Sequence, residues 1–176
     1  MKRTKLKFLF GILLFSSLLL MTGCDAEDDI NEIFTSSTWY LGNFYTTTNW
    51  NNENISRPMY TADDEEGKEA LKIINNNGTD RLYINFQENG KFIAKGIGNN
   101  FSGTWTADGK KNTFSMTIEG NRPGGNDLAA RISQNFYDYL QSTGEGGFYK
   151  GNTIYLKLFK PDKKGFMQFS KQRVEK

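Results

Sequence analysis

The residue types that most often carry out catalysis or hold metal ions are scarce in this chain. Its 176 residues include no histidine and one cysteine, Cys24. The commonest general base and the commonest metal ligand are therefore missing, which excludes Ser-His and Cys-His catalysis and zinc sites built on His or Cys. A lone cysteine also excludes an intramolecular disulfide. The 20 Asp and Glu side chains are what remains for acid–base or metal chemistry.

The densest group of these carboxylates is the run Asp63, Asp64, Glu65 and Glu66. Its oxygens could bind Ca²⁺, but the run lacks the alternating spacing and the glycine of a dedicated calcium loop. Acidic side chains are also favoured in the first turn of a helix, so we predict a solvated helix start, with no metal and no cofactor. Two carboxylates facing each other across a sugar could instead hydrolyse a glycosidic bond, although no such pair stands out in the sequence.

Aromatic residues are concentrated early in the chain and offer a different kind of site. We expect Trp39 and Phe44 in the core of the fold. Trp50 lies among the asparagines of residues 49–54. Aromatic rings bury a large area and keep a polar edge, so we predict that Trp50, Tyr60 and Tyr45 contact a ligand.

The beginning of the chain has the pattern of a secretion signal. Four basic residues in the first seven precede the uncharged residues 8–23, a run shorter than the roughly 20 residues that a membrane-spanning helix needs. The segment resembles a bacterial lipoprotein signal peptide, in which a small residue precedes an obligatory cysteine, as Gly23 precedes Cys24. The resemblance implies that residues 1–23 are removed and that Cys24 carries fatty-acyl chains such as palmitate.

The acidic residues just after Cys24 bear on the final location. An Asp directly after the lipidated cysteine is similar to the inner-membrane retention signal of enterobacteria, whereas an acidic run there resembles the surface-export signal of gut-type anaerobes. We favour the second interpretation, which predicts a lipid-anchored protein of the cell envelope, in the outer membrane and exposed at the surface. A solvated tether is the plainer alternative.

Charge also limits the partners. The first 23 residues carry four of the 22 basic residues and no acidic one, so the remaining chain has a net charge of about −2. We therefore expect no nucleic acid as a partner. The expected partners are the membrane, through the lipid, and an unidentified ligand or envelope protein.

Alternating apolar and polar residues predict a mainly β domain. Leu82, Ile84 and Phe86 alternate before Asn89-Gly90, a strong hairpin signal, and an early strand is expected from Thr38 to Tyr45. The further alternating sets are Phe101, Gly103 and Trp105; Phe114, Met116 and Ile118; Ile154, Leu156 and Leu158; and Met167 and Phe169.

Helical spacing interrupts this pattern twice. Apolar residues at steps of three and four predict one main helix from Asp127 to Leu140, which would close one end of the sheet. Asn126 or Asp127 could cap its start, and Gly144 could end it. A second, shorter helix is predicted over residues 64–75.

In order along the chain, these pieces resemble a META-type domain, a small barrel-like fold related to lipocalin-like shapes. The matching motifs are Trp39-Tyr40-Leu41; Leu82-Tyr83-Ile84-Asn85-Phe86 with Glu88-Asn89-Gly90-Lys91-Phe92; Gly98-Asn99-Asn100-Phe101-Ser102-Gly103-Thr104-Trp105; and Tyr149-Lys150-Gly151-Asn152-Thr153-Ile154-Tyr155-Leu156. The resemblance implies a small antiparallel lipocalin-like or META-like barrel. It implies no catalytic residues, because the family has none established.

Four segments follow from these observations: a signal peptide at 1–23, an acidic tether at 24–33, the lipocalin-like or META-like β domain at 34–170, and a basic tail at 171–176. The expected function is that of a non-enzymatic cell-envelope lipoprotein whose barrel binds a ligand or a protein. The alternative is a carboxylate-based glycan hydrolase at the cell surface.

Overall fold

The computed structural model describes residues 26–76 and 81–171, so the predicted signal peptide at 1–23, Cys24 and residues 172–176 lie outside the described residues. In the described parts, three α-helices accompany nine strands. The helices are α1 (Ala26–Thr35), α2 (Glu65–Ile74) and α3 (Leu128–Gly144). The strands are β1 (Thr38–Thr47), β2 (Arg57–Pro58), β3 (Tyr83–Phe86), β4 (Lys91–Lys95), β5 (Asn100–Asp108), β6 (Thr113–Glu119), β7 (Gly147–Gly151), β8 (Tyr155–Phe159) and β9 (Phe166–Lys171).

One antiparallel sheet contains all nine strands and closes into a ring. Strands β3 to β9 follow one another as hydrogen-bonded neighbours, and β1 pairs with β3 on one side and with β9 on the other. The short β2 extends the sheet beside the end of β1. The predicted mainly β, antiparallel domain is confirmed, and ring closure leaves few backbone groups at open edges.

The ring has two ends, which we name after the helices that cover them. At the α1 end, β1 begins and three hairpins turn, between β3 and β4, β5 and β6, and β7 and β8. At the α3 end, β1 finishes, the β4–β5 and β8–β9 hairpins turn, and α3 connects β6 to β7.

A bulge in β1 decides which of its side chains face inward. Trp39 and Leu41 alternate into the core, but the register against β9 shifts between Leu41 and Asn43, which inserts Gly42. Because the bulge reverses the alternation, Phe44 is buried in the core and Tyr45 faces outward. The expectation that Trp39 and Phe44 are core residues is met.

The segment expected to be an acidic tether is mostly the helix α1. Ile30 and Phe34, one helical turn apart, belong to the core. The Phe34 ring lies 5.0 Å from the rings of Phe86 and Trp105 and 5.5 Å from that of Phe114. The folded domain therefore begins near residue 26, because an apolar pair on one helix face outweighs the acidic composition of the segment.

The two predicted helices are present, with their caps. Asp127 starts α3 by accepting a hydrogen bond from the Ala130 backbone N–H at 2.7 Å, and the helix continues to Gly144. Asp64 starts α2 by accepting from the Gly67 N–H at 2.6 Å, so the acidic run is a helix start. The Phe136 side chain packs α3 against the end of the sheet ring, near the aromatic rings of Phe101 and Phe169.

One residue departs from the alternation. The alternation predicts that Ile154 shares the inner face with Leu156 and Leu158, which are fully buried, but Ile154 is 69% exposed. The Asn152 side chain accepts hydrogen bonds from the backbone N–H groups of Ile154 and Tyr155, at 2.8 and 3.1 Å. This local turn places Ile154 at the tip of the β7–β8 hairpin, outside the strand.

Candidate functional site

A second aromatic group lies on the outer face of the ring, separate from the core. It consists of Tyr45, Trp50, Phe148, Phe159 and Phe166, and we call it the outer aromatic cluster. Phe166 stacks on Tyr45 with a centroid distance of 4.3 Å and lies 4.7 Å from Phe159. Trp50 completes the group, 4.9 Å from Phe159 and 5.7 Å from Phe148. Its members come from β1, β7, β8 and β9 and from one loop.

That loop spans residues 48–56 and carries Trp50 over the sheet, so we call it the Trp50 loop. Its backbone is fixed by local bonds: the Asn52 N–H donates to the Asn49 carbonyl at 3.0 Å, and the Asn51 N–H donates to the Asn49 side chain at 2.9 Å. The hydroxyls of Thr48 and Ser56 meet at 2.6 Å and join the two ends of the loop. The Asn-rich composition thus serves turns that hold Trp50 in place.

Two lysines of the sheet hold the Trp50 loop through its one acidic residue. Lys150 Nζ donates to a Glu53 carboxylate oxygen at 2.9 Å and to the Trp50 carbonyl, and Lys157 donates to the other Glu53 oxygen. Burial by itself would raise the pKa of Glu53, but the hydrogen bonds and charges of the two lysines outweigh it and hold that pKa below its ordinary value. Glu53 is therefore a charged link between loop and sheet.

A third lysine lies on the cluster without an acidic partner. Lys163 Nζ is 3.9 Å from the Phe148 ring centroid and 4.7 Å from that of Trp50, and no carboxylate of the described residues lies within 4.0 Å of it. Its backbone has a φ of 58°, the left-handed region that favours glycine. Lys160 and Lys164 flank it in the β8–β9 hairpin, and Lys160 Nζ is 4.0 Å from the Tyr139 ring. We call these three residues the hairpin lysines.

The structure brings together two of the three predicted contact residues. Trp50 and Tyr45 both belong to the outer aromatic cluster, where they are half-buried. Tyr60 lies elsewhere, between β1 and α3, and its hydroxyl accepts a hydrogen bond from the Asn135 side chain at 3.0 Å. Burial raises the pKa of Tyr60, which is a packed side chain joining two elements. Whether any of the three contacts a ligand stays a prediction.

The residues that complete the site were not predicted from the sequence; five lie on strands and Lys163 lies in the β8–β9 hairpin: Phe148, Lys150, Lys157, Phe159, Lys163 and Phe166. A signal was present in the alternation, because Phe159 and Phe166 occupy the parity of the solvent face, opposite Leu158 and Met167. Large aromatic residues on a face that should be polar indicate that another segment covers them. The covering segment is the Trp50 loop, whose Glu53 lies 97 positions before its partner Lys150. A contact over that separation leaves no local signal in the sequence.

Other features of the described residues offer less chemistry. No group of three or more His, Cys, Asp or Glu residues there is arranged to hold a metal ion. None of the helices α1 to α3 combines the length and the apolar character that crossing a membrane requires. An open depression of about 200 Å³ on the outside of β5 and β6 is lined by hydroxyl side chains, including those of Thr104, Thr106, Ser115 and Thr117.

Comparison with known proteins identifies the family. The profile described as "Domain of unknown function (DUF4847)" matches residues 25–171. The crystal structure of a DUF4847 family protein from Bacteroides vulgatus ATCC 8482 has 30% sequence identity, covers 82% of this chain and 99% of its own, and superimposes with a TM-score of 0.65. An NMR structure of a protein from Burkholderia xenovorans, at 12% identity, covers 79% of this chain and 83% of its own with a TM-score of 0.46. No curated protein matches the chain. This chain therefore belongs to the DUF4847 family.

Proposed function

We propose that the chain is a non-enzymatic, lipid-anchored protein of the cell envelope, with outer membrane and cell surface favoured. Its META-like or lipocalin-like domain binds an anionic partner through the outer aromatic cluster and the hairpin lysines. The observation that carries this proposal is the Lys163 ammonium, held over Phe148 and Trp50 with no carboxylate of the described residues beside it.

An anionic partner is favoured by the local charge. The cluster and its hairpin bring together five lysines, at positions 150, 157, 160, 163 and 164, against Glu53 and Asp162. This local excess of positive charge lies on a domain whose total charge is slightly negative. Such an uneven distribution steers a partner of opposite charge to one face. An aromatic ring keeps the ammonium in place and leaves its outer hydrogens available to an anion.

The outer face is favoured over the interior because large side chains occupy the described interior. Phe34, Trp39, Phe86, Phe92 and Phe114 are each at most 1% exposed, and they belong to one core. A ring of about eight strands has an interior that side chains alone can fill. We therefore place the contact on the outside, where Trp50 and Tyr45 already lie.

The hydrolase alternative finds less support in the described carboxylates. Asp64 and Asp127 cap helices, Glu53 binds two lysines, and Asp138 binds the Arg122 guanidinium at 2.7 Å through each oxygen. These four carboxylates are thus engaged with cations or backbone N–H groups. A hydrolytic pair would need one carboxyl group free to donate a proton.

The test is binding of dextran sulfate, with uncharged dextran as the negative probe. The triple variant K160Q/K163Q/K164Q should lose roughly three- to a hundredfold in affinity, since each lost ammonium–anion contact is worth roughly 0.2–1 kcal/mol at an exposed site. The matched control is K91Q/K110Q/K111Q, which removes the same charge at the α1 end and should retain wild-type affinity. Equal losses in both variants, or no binding by the wild type, would contradict the proposal.

A second variant separates binding from folding. Lys163→Gly removes the ammonium and also relieves the left-handed backbone, which costs a non-glycine residue about 1–2 kcal/mol. Stability in urea should therefore stay near or above that of the wild type, while affinity for dextran sulfate falls. Unchanged affinity in this variant would show that Lys163 is not a contact residue.

A further inference from the structure

The start of α1 fixes how far the domain can lie from a lipid on Cys24. Helix α1 begins at Ala26, so Asp25 is the one residue between it and Cys24. A fully extended residue spans at most about 3.6 Å, so an acylated Cys24 would keep the first turn of α1 within roughly 10 Å of the lipid headgroups. Because Ile30 and Phe34 fix α1 to the core, the anchor would hold the α1 end of the domain close to the membrane surface.

From this we infer that the α1 end of the ring rests on the membrane, with the tip of the β7–β8 hairpin inserted at the boundary between headgroups and acyl chains. The inference rests on the lipid anchor of the proposed function. It adds a second contact between the domain and the lipid, names the residues that make this contact, and gives the orientation of the domain on the membrane.

The hairpin tip has the chemistry of an interfacial anchor. Ile154 and Tyr155 are 69% and 39% exposed, and among the described residues they form half of the prominently exposed large hydrophobic side chains. The tip lies beside α1, since a Cβ built on Gly151 would stand 3.4 Å from the Ile33 side chain. Tyrosine is enriched at membrane interfaces, where its ring spans apolar and polar layers, and a neighbouring isoleucine adds apolar area.

Charge indicates which lipid surface this end fits. The sequence just after Cys24 is acidic at Asp25, Glu27, Asp28 and Asp29, whereas Lys110 and Lys111 lie on the nearby β5–β6 turn. The mixture has no positive excess, so attraction to anionic lipid does not drive the contact. The tip should insert through its apolar area into zwitterionic phosphatidylcholine as readily as into bilayers that also contain phosphatidylglycerol.

The orientation has a consequence for the candidate site. The hairpin lysines belong to the α3 end, opposite the membrane contact. The inferred orientation points them away from the bilayer, toward soluble or cell-surface partners.

Spin labels at the two ends of the ring test the inference in the full, acylated chain. Cys24 would be blocked by lipid, so a label on Ile154→Cys or on Asn100→Cys is unique; both positions are exposed, and Asn100 starts β5 beside the β4–β5 hairpin at the α3 end. In phosphatidylcholine vesicles the label at 154 should collide severalfold less with a water-soluble nickel complex, and more with oxygen, than the label at 100. Added phosphatidylglycerol should not change the difference between the two labels, either in nickel collisions or in oxygen collisions.

The outcomes separate the inference from the anchor. Equal nickel accessibility at both positions, or shielding of the label at 154 only when phosphatidylglycerol is present, overturns the inference while flotation with vesicles still supports the anchor. A wild-type chain that neither floats nor incorporates labelled fatty acid, or a Cys24→Ala variant that stays membrane-bound, overturns the anchor itself and the inference with it.

Discussion

Glu53 shows how a single side chain links the Trp50 loop to the sheet, and its ionisation should be visible in stability. Its pKa is held below the ordinary value, so its charged form stabilises the folded state above about pH 4.5 and this contribution disappears as the pH falls through the lowered pKa. We expect Glu53→Gln to lower the free energy of unfolding at pH 7 by about 1.5–3 kcal/mol, the usual worth of hydrogen bonds to charged groups. Urea unfolding at pH 7 and at pH 3 measures this free energy for both proteins. The difference between Glu53→Gln and the wild type should be smaller at pH 3.

The control for this variant is Glu69→Gln. Glu69 pairs with Lys72 at 3.1 Å, but both side chains are more than half exposed, so its loss should cost less than about 0.5 kcal/mol. Acrylamide quenching gives a second readout. Trp39 and Trp105 are buried, and increased quenching in Glu53→Gln therefore reports the release of Trp50. If the two variants were equally stable and equally quenched, Glu53 would not hold the loop.

At the scale of elements, α1 acts as a plug for one end of the ring. Phe34→Ala should lower the free energy of unfolding by about 3–5 kcal/mol, because it leaves a cavity among Phe86, Trp105 and Phe114. Glu32→Ala on the exposed side of the same helix should change stability by less than about 0.5 kcal/mol. Thermal unfolding followed by circular dichroism compares them. Equal stability of the two variants would mean that α1 does not pack on the core of the ring.

The elements that the sequence predicted are those whose signals are local. Helices α2 and α3 carry their own caps at Asp64 and Asp127, and the β3–β4 hairpin carries Gly90, whose φ of 74° its turn requires. Helix α1 escaped prediction because its two apolar contacts are hidden among acidic residues. Ile154 was misplaced because alternation alone does not reveal the turn that Asn152 makes. Strand membership was thus easier to predict than strand ends.

At the scale of the whole molecule, the candidate site depends on contacts across long stretches of sequence. Trp50 and Tyr45 were identifiable by residue type and by a polar neighbourhood, but Lys150 and Lys157 reach Glu53 across about a hundred positions. No periodicity in the sequence records such a pairing. The bulge at Gly42 adds to the difficulty, since it decides that Tyr45 faces outward and Phe44 inward.

Closure of the ring should make its last strand indispensable. A chain ending at Gly165 lacks β9, which leaves β1 and β8 without their shared neighbour and removes the buried Met167 and Phe169. We expect it to show no cooperative thermal transition and no near-ultraviolet circular dichroism from fixed aromatic rings. A chain ending at Lys171 lacks only residues 172–176 and should unfold like the full chain. Cooperative unfolding of both would mean that the ring is stable while open.

The pairing of β1 with β9 also has a consequence for the time at which the protein can fold. These strands stand at opposite ends of the described chain, and their contact closes a loop of more than a hundred residues, which slows folding and delays it until both strands are present. A chain that leaves a narrow channel from its N-terminus cannot complete the ring before Phe166–Lys171 has emerged. Until then β1 lacks its β9 neighbour and the ring stays open, which fits the export across a membrane in an unfolded state that the proposed envelope location would require.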